Sequence, residues 1–397
     1  EKIAALRAAA KAAGADGVML VTSDPHSSEY LPARYTSLNW FSGFTGENST
    51  LVVTGEGSAL WSDGRFYIQA DRQLAGTEIQ SMHAAAAGVP TVEEYLKSHL
   101  TAGQTMLTDG SCMPTAMFEK YNTALAEVGA SLVSKDVVNP LWEAERPALP
   151  DTPCFLLSRE QTGSSPAEKL TAVRAELKKA GATALAVTQL DCVAWLLDLR
   201  AHDIPCSPMA ISYAFVTMDR CVLFLAEGRL DADDADVLCA NGVELRDYNA
   251  LLDFVHTLDS DETVLVEKSS TNYDLYAAMQ ANPHLTLKEG ADPVTALKGV
   301  KNPTELANLK ECHIRDGVAM VRFQMDLEKA LAEGKSLREC DIDTMLHRRR
   351  AEQPGFDQES FFTIAAYGPN AAMMHYTAKP GADSAIEPHG FLLVDCG

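Results

Sequence analysis

The sequence predicts an α/β protein: two related α/β domains in tandem, followed by the opening part of a third domain that mixes long helices with strands. Three observations carry this. The segment KAAGADGVMLVTS near the N-terminus returns as KKAGATALAVTQ in the middle of the chain, each a basic helix end, a glycine and an apolar strand. Apolar runs of strand length, bounded by turn residues, recur between helical stretches in both halves. From Asn302 onward the pattern changes to a helix of about thirty residues, long for a globular helix. The reading places domain boundaries at 1–149, 150–301 and 302–397.

Taken in order, residues 1–14 read as a helix ending near a glycine. GVMLVTS is a strand, and SDPHSSEY a polar loop. TLVVTGEGSALWSDGR is a hairpin turning at Gly55-Glu56-Gly57. It feeds a helix starting near Asp63, with Asp63 as N-cap and Arg65 in the first turn. A cation there opposes the helix dipole, so Arg65 is either a tolerated surface residue or one held for a ligand. TVEEYLKSHL and PTAMFEKYNTALAEVG are further helices, and WEAERPALPDTPC, with its three prolines, is a linker. In the second copy AISYAFVT and RCVLFLAEG are strands, and TVLVEKSSTNYDLYAAM is a strand followed by a capped helix. Trp40 and Trp195 occupy corresponding aromatic segments. Asn302, Pro303 and Glu305 form a capping box for the long helix. A second helix follows, capped by Ser336, and then two strands, FFTIAAYGPNAAMMHY and FLLVDCG.

Composition narrows the function. With 46% apolar and 22% charged residues the chain is that of a globular protein with a sizeable core. A net charge of −22 argues against nucleic acid as a partner. No apolar run approaches a membrane span. The nine cysteines show no CxxC and no regular spacing, which fits a reducing compartment and argues against a disulfide framework or structural zinc. There is no Walker loop, GxGxxG, HExxH or GxSxG.

Two residues near the C-terminus stand out. His375 lies in AAMMHY, and its place after Gly368-Pro369-Asn370 puts it toward a strand end, where a cleft reaches it. A satisfied core or boundary histidine is the competing reading. Asp395 closes the apolar run of FLLVDCG. An acid ending a buried strand requires a salt bridge or a bound cation. The chain stops two residues later, and the expectation is that it is truncated at its C-terminus. His313 and His347 read as solvated helix positions, and His26 as a loop residue beside a turn-forming Asp-Pro. Cys192 and Cys221 read as core residues, and Cys396 as a small filler.

The segments SDPHSSEYLPARYTSLNWFSGFTGE, ALWSDGRFYIQA, LDCVAWLLDLRAHDIPCSP, SSTNYDLYAAM, ALKGVKNPTELANLKECHIRDGVAM, GPNAAMMHY and FLLVDCG occur in this order. Together they resemble the long, three-domain Xaa-Pro aminopeptidases of the creatinase/prolidase superfamily, over the whole chain. The resemblance implies two creatinase-N-like α/β domains followed by an incomplete pita-bread catalytic domain of α+β type. It implies a dinuclear site for Mn²⁺, other divalent ions being possible, held by two Asp, one His and two Glu. Asp395 in Leu393-Val394-Asp395-Cys396-Gly397 matches the first metal ligand, with Cys396 replacing the usual Ser or Ala. The second Asp is expected about eleven residues beyond Asp395, and the remaining ligands later still, outside this chain. His375 matches the active-site histidine that contacts substrate near the scissile bond. Arg65 matches the substrate-binding arginine of W-[ST]-D-G-R.

The implied reaction is hydrolysis of the N-terminal Xaa-Pro bond of peptides with proline at the second position, by a metal-bridging hydroxide. These 397 residues are expected to be inactive alone. A cytoplasmic homodimer, with neither nucleic acid nor membrane as partner, completes the expectation. The alternatives are a prolidase or creatinase-type hydrolase, and a non-catalytic pita-bread protein that binds peptides or proteins.

Overall fold

The computed structural model describes residues 1–397. Its first ordered element is the helix Lys2–Ala12, whose Ile3, Leu6 and Ala10 face inward at helical spacing. The following strand Gly17–Val21 is buried at every position, as are Thr50–Thr54 and Ser58–Ser62. Such strands are covered on both faces, which explains apolar runs without alternation. Gly17 is required where it stands, because a Cβ there would lie 2.5 Å from the Val53 carbonyl oxygen.

These strands belong to a six-stranded mixed sheet. Its spatial order is 79–83, 58–62, 50–54, 17–21, 105–108, 131–134. A second sheet runs 243–246, 221–225, 212–217, 184–187, 262–266, 285–289. Order and direction agree pair by pair: two antiparallel pairings at the centre, and parallel pairings elsewhere. The duplication read from two short segments therefore extends through both sheets. It reaches side chains as well. Lys2 Nζ donates to the Trp40 carbonyl at 2.7 Å and sits over the Trp40 ring. Lys169 Nζ donates to the Trp195 carbonyl at 2.8 Å and sits over that ring.

The two modules form one compact unit, Glu1–Leu157, Ser164–Ile204 and Met209–Val300. The seam between them is polar and specific. Pro114 bridges Asn272, Thr115 Oγ1 donates to the Thr271 carbonyl at 2.8 Å, and Ser134 Oγ donates to Asp274 at 2.6 Å. The Phe118 and Tyr273 rings stack across it, 3.5 Å between centroids.

The second unit comprises Lys301–Gly397 with Ser158–Gly163 and Pro205–Pro208. Its helix Pro303–Ala332 has the capping box expected at Asn302 and Glu305. Arg350 and Arg349, on the helix Glu339–Ala351, pair with Asp316 and Asp326 of the long helix. Phe323, Ile342 and Leu346 form the core between them. Ser336 does not cap the second helix: Leu337–Arg338 instead pairs as a strand with Ala385–Ile386, and the helix begins at Glu339. A second ribbon pairs Ile364–Tyr367 with Leu392–Asp395.

Candidate active site

Arg65 lies in the first unit, and His375 and Asp395 lie in the second. The helix after the hairpin begins at Tyr67, so Asp63 is not its N-cap and Arg65 precedes its first turn. Asp63 instead folds the segment back on itself. Its Oδ1 accepts the Arg65 backbone N–H at 2.9 Å, and its Oδ2 pairs with the Arg65 guanidinium at 2.7 Å. Asn48 Nδ2 donates to the same carboxylate at 2.9 Å. The hydrogen bond from Arg65 holds the Asp63 carboxyl down at about 2. An exposed ion pair of this kind adds little stability. What it does is fix a half-exposed guanidinium in one orientation.

His375 is exposed and lies in a turn after the short helix Gly368–Ala372, not at a strand end. The strand closes at Tyr367, and Gly368 and Pro369 divert the chain before AAMMHY begins. Asp395 is also exposed. The run FLLVD is a one-sided strand: Leu392, Val394 and Cys396 pack on the core, while Phe391, Leu393 and Asp395 face outward, Phe391 being 89% exposed. Water solvates the carboxylate, so no counter-charge is demanded in this structure. Burial therefore does not single Asp395 out as a ligand; its place in the Leu393–Gly397 motif does.

Asp395 pairs in register with Ile364, whereas the loop carrying His375 leaves the same ribbon at Tyr367. Three residues of strand separate those levels, about 10 Å. No group of three or more His, Cys, Asp and Glu side chains able to hold a metal forms in the structure. One carboxylate cannot hold two divalent ions. The residues of this chain therefore do not by themselves fit a dinuclear centre.

Two further residues matter: His26, which has the structural loop role read for it but with distant partners, and Glu339, which the sequence reading missed. His26 is almost wholly buried and crosses the seam: its ring nitrogens meet the Thr188 carbonyl oxygen and the Tyr248 hydroxyl, each at 2.9 Å. Burial lowers its pKa against the opposing pull of Asp24. Glu339, fully buried, accepts hydrogen bonds from four residues of the segment that carries His375. His26 sits in the Asp-Pro loop that drew notice; nothing in the sequence around Glu339 marks it.

Residues 2–139 and 145–305 match models of the creatinase/prolidase N-terminal domain, and residues 307–397 match the metallopeptidase family M24. The chain belongs to the creatinase/prolidase family of M24 metallopeptidases, and the last region has the pita-bread type of fold. Among its relatives are long Xaa-Pro aminopeptidases. It is 34% identical over 413 residues to a probable Xaa-Pro aminopeptidase P of Sordaria macrospora, covering 100% of this chain and 66% of the relative. It is 30% identical over 416 residues to aminopeptidase P2 of Arabidopsis thaliana, covering 97% of this chain and 58% of the relative. The crystal structure of X-prolyl aminopeptidase from Caenorhabditis elegans, described as a cytosolic enzyme with a di-nuclear active site, superposes with a TM-score of 0.93. That match is 28% identical and covers 100% of this chain and 67% of the nematode chain. The chain thus spans about two thirds or less of the length of the curated relatives it matches. No helix is long and apolar enough to cross a membrane.

Proposed function

We propose that this chain is the recognition portion, and the start of the catalytic portion, of a metal-dependent aminopeptidase that removes the residue preceding a proline. The supporting observation is that similarity to Xaa-Pro aminopeptidases P continues through both α/β modules and into the M24 region. A prolidase or creatinase-type enzyme and a non-catalytic relative are disfavoured by the co-occurrence of two N-terminal modules with Arg65, His375 and Asp395.

The chemistry explains why a dedicated enzyme exists. The Xaa-Pro bond is a tertiary amide without an N–H, and proline fixes φ near −65°. Peptidases that grip that N–H fail on it. In this reading Arg65, steadied by Asp63, offers its guanidinium to the peptide's carbonyls or its C-terminal carboxylate. His375 hydrogen-bonds the substrate beside the scissile bond, and Asp395 is the first ligand of two divalent metals, Mn²⁺ in our reading. The metals supply Lewis acidity and an activated water when bound. The enzyme is a cytoplasmic homodimer.

The test is to express the coding region extended past Gly397 and assay Mn²⁺-stimulated release of the first residue from an Arg-Pro-Pro peptide. Activity lost on Asp395→Ala, and reduced in Arg65→Ala and His375→Ala, is the expected result. Inactivity of the extended protein toward Xaa-Pro peptides would sink the reading. Activity of the 397-residue chain alone would refute the expectation that its metal site is incomplete.

A further inference from the structure

The segment between the strands Ile364–Tyr367 and Ala385–Ile386 contains His375 and has no regular structure beyond one short helix. Such a stretch holds a fixed path only if side chains bind its backbone. One carboxylate does most of this. Glu339 Oε1 accepts the Tyr367 N–H at 2.6 Å, where the segment begins. Asn370 Nδ2 donates to both carboxylate oxygens at 3.1 Å. Oε2 accepts the Tyr376 hydroxyl at 2.7 Å and the Ser384 N–H at 2.8 Å, where the segment ends. The Glu339 N–H returns a bond to the Ser384 carbonyl at 3.1 Å. Start, middle and end of the segment thus converge on one side chain, and Tyr376 is the residue after His375.

The carboxylate is buried among neutral donors. Burial pushes its pKa up, but the bonds from Ser384, Tyr367, Tyr376 and Asn370 outweigh that, and the net shift is downward. The group therefore remains an anion that accepts at every lone pair. A carboxamide of the same shape would set an NH₂ against donors in either orientation: Tyr367 and Asn370 on one side, or Asn370, Tyr376 and Ser384 on the other.

We propose that Glu339 is the positioning residue for His375: it sets the path of residues 367–384 and so places the imidazole for substrate. The kinetic part rests on the peptidase reading above. Two arms separate the claims. In the 397-residue chain, Glu339→Gln is expected to speed amide exchange in residues 368–384, while the helix Pro303–Ala332 keeps its protection. Tyr376→Phe, which removes one bond to Glu339 and the Asn370 bond to the same hydroxyl, gives a smaller change in the same direction and guards against simple misfolding of the first variant. Unchanged exchange in 368–384 in a folded Glu339→Gln protein would overturn the proposal.

In the extended, active protein, Glu339→Gln is expected to lower kcat/KM by roughly 10²-fold, the scale of a misplaced catalytic group. In a His375→Ala background the same change should add little, because both act through one group. Equal losses in the two backgrounds would show a merely structural role and refute positioning. Full activity of His375→Ala would instead overturn the peptidase role of His375, and with it the kinetic arm, while the exchange arm stands or falls by itself.

Discussion

Replacing Asp292 by Asn is expected to stabilise the first unit at neutral pH and leave it unchanged in acid. Asp292 is 5% exposed and caps the helix Pro293–Gly299, its carboxylate accepting the Val294 N–H at 2.7 Å. Burial, reinforced by Glu267 and Asp191, raises its pKa from 3.8 to about 6 against the Val294 bond and Lys298. The folded state thus binds the proton more tightly than the unfolded chain. Below about pH 4 both states are protonated and the group is neutral to stability. Between about 4 and 6 its ionisation becomes a growing cost, complete above the folded pKa. The rise from 3.8 to about 6 corresponds to about 3 kcal/mol. Asparagine caps a helix as well as aspartate does, so the variant keeps the Val294 bond and loses the buried charge. The assay is hydrogen exchange of residues 285–300 against urea, read at several pH values from about 4 to 8, which follows this unit without assuming that the whole chain unfolds in one step. A gap between variant and parent that fails to widen with pH, or a variant less stable at pH 8, would refute the reasoning.

Two further predictions concern the seam. Because burial lowers the pKa of His26, its protonation opposes folding, so stability is lost as pH falls through its ordinary value of 6.5. Protection factors of the amides around Thr188 and Ser270, taken relative to the slower intrinsic exchange in acid, should fall on going from about pH 7.5 to 5.5, and less so in His26→Gln. Gly110→Ala would set a Cβ 2.3 Å from Asp274 Oδ1 and from Ser134 Oγ, which are bonded to each other. A loss of about 1–3 kcal/mol by urea unfolding is expected. Gly55→Ala, which meets nothing within 4 Å, serves as the neutral control.

What could be read in advance was local. The Asn302 capping box, the hairpin at Gly55–Gly57 and the helix–glycine–strand repeat are written in neighbouring residues, and the structure has all three. The failures were those of position relative to distant chain. Ser336 lost its cap because strand pairing with residues 385–386 claimed Leu337 and Arg338. The apolar run FLLVD does not say whether a second layer covers it; in this chain, which spans about two thirds of the length of its relatives, Phe391 and Leu393 are outside. His26 finds its partners 162 and 222 residues away, and Glu339 gathers donors 28 to 45 residues downstream. No periodicity encodes such convergences.

The polar seam also bears on how the duplicated modules can change. A free α/β module would hydrate the His26 ring, the Thr271 carbonyl and the Asp274 carboxylate with water. Here Thr188 and Tyr248, Thr115, and Ser134 stand in for that water. Each copy has become the other's hydration shell, with donors and acceptors fixed in place. A substitution on one side of the seam is therefore felt as a solvent change on the other. The two copies are free to drift apart over their outer surfaces, but along this line they must change together.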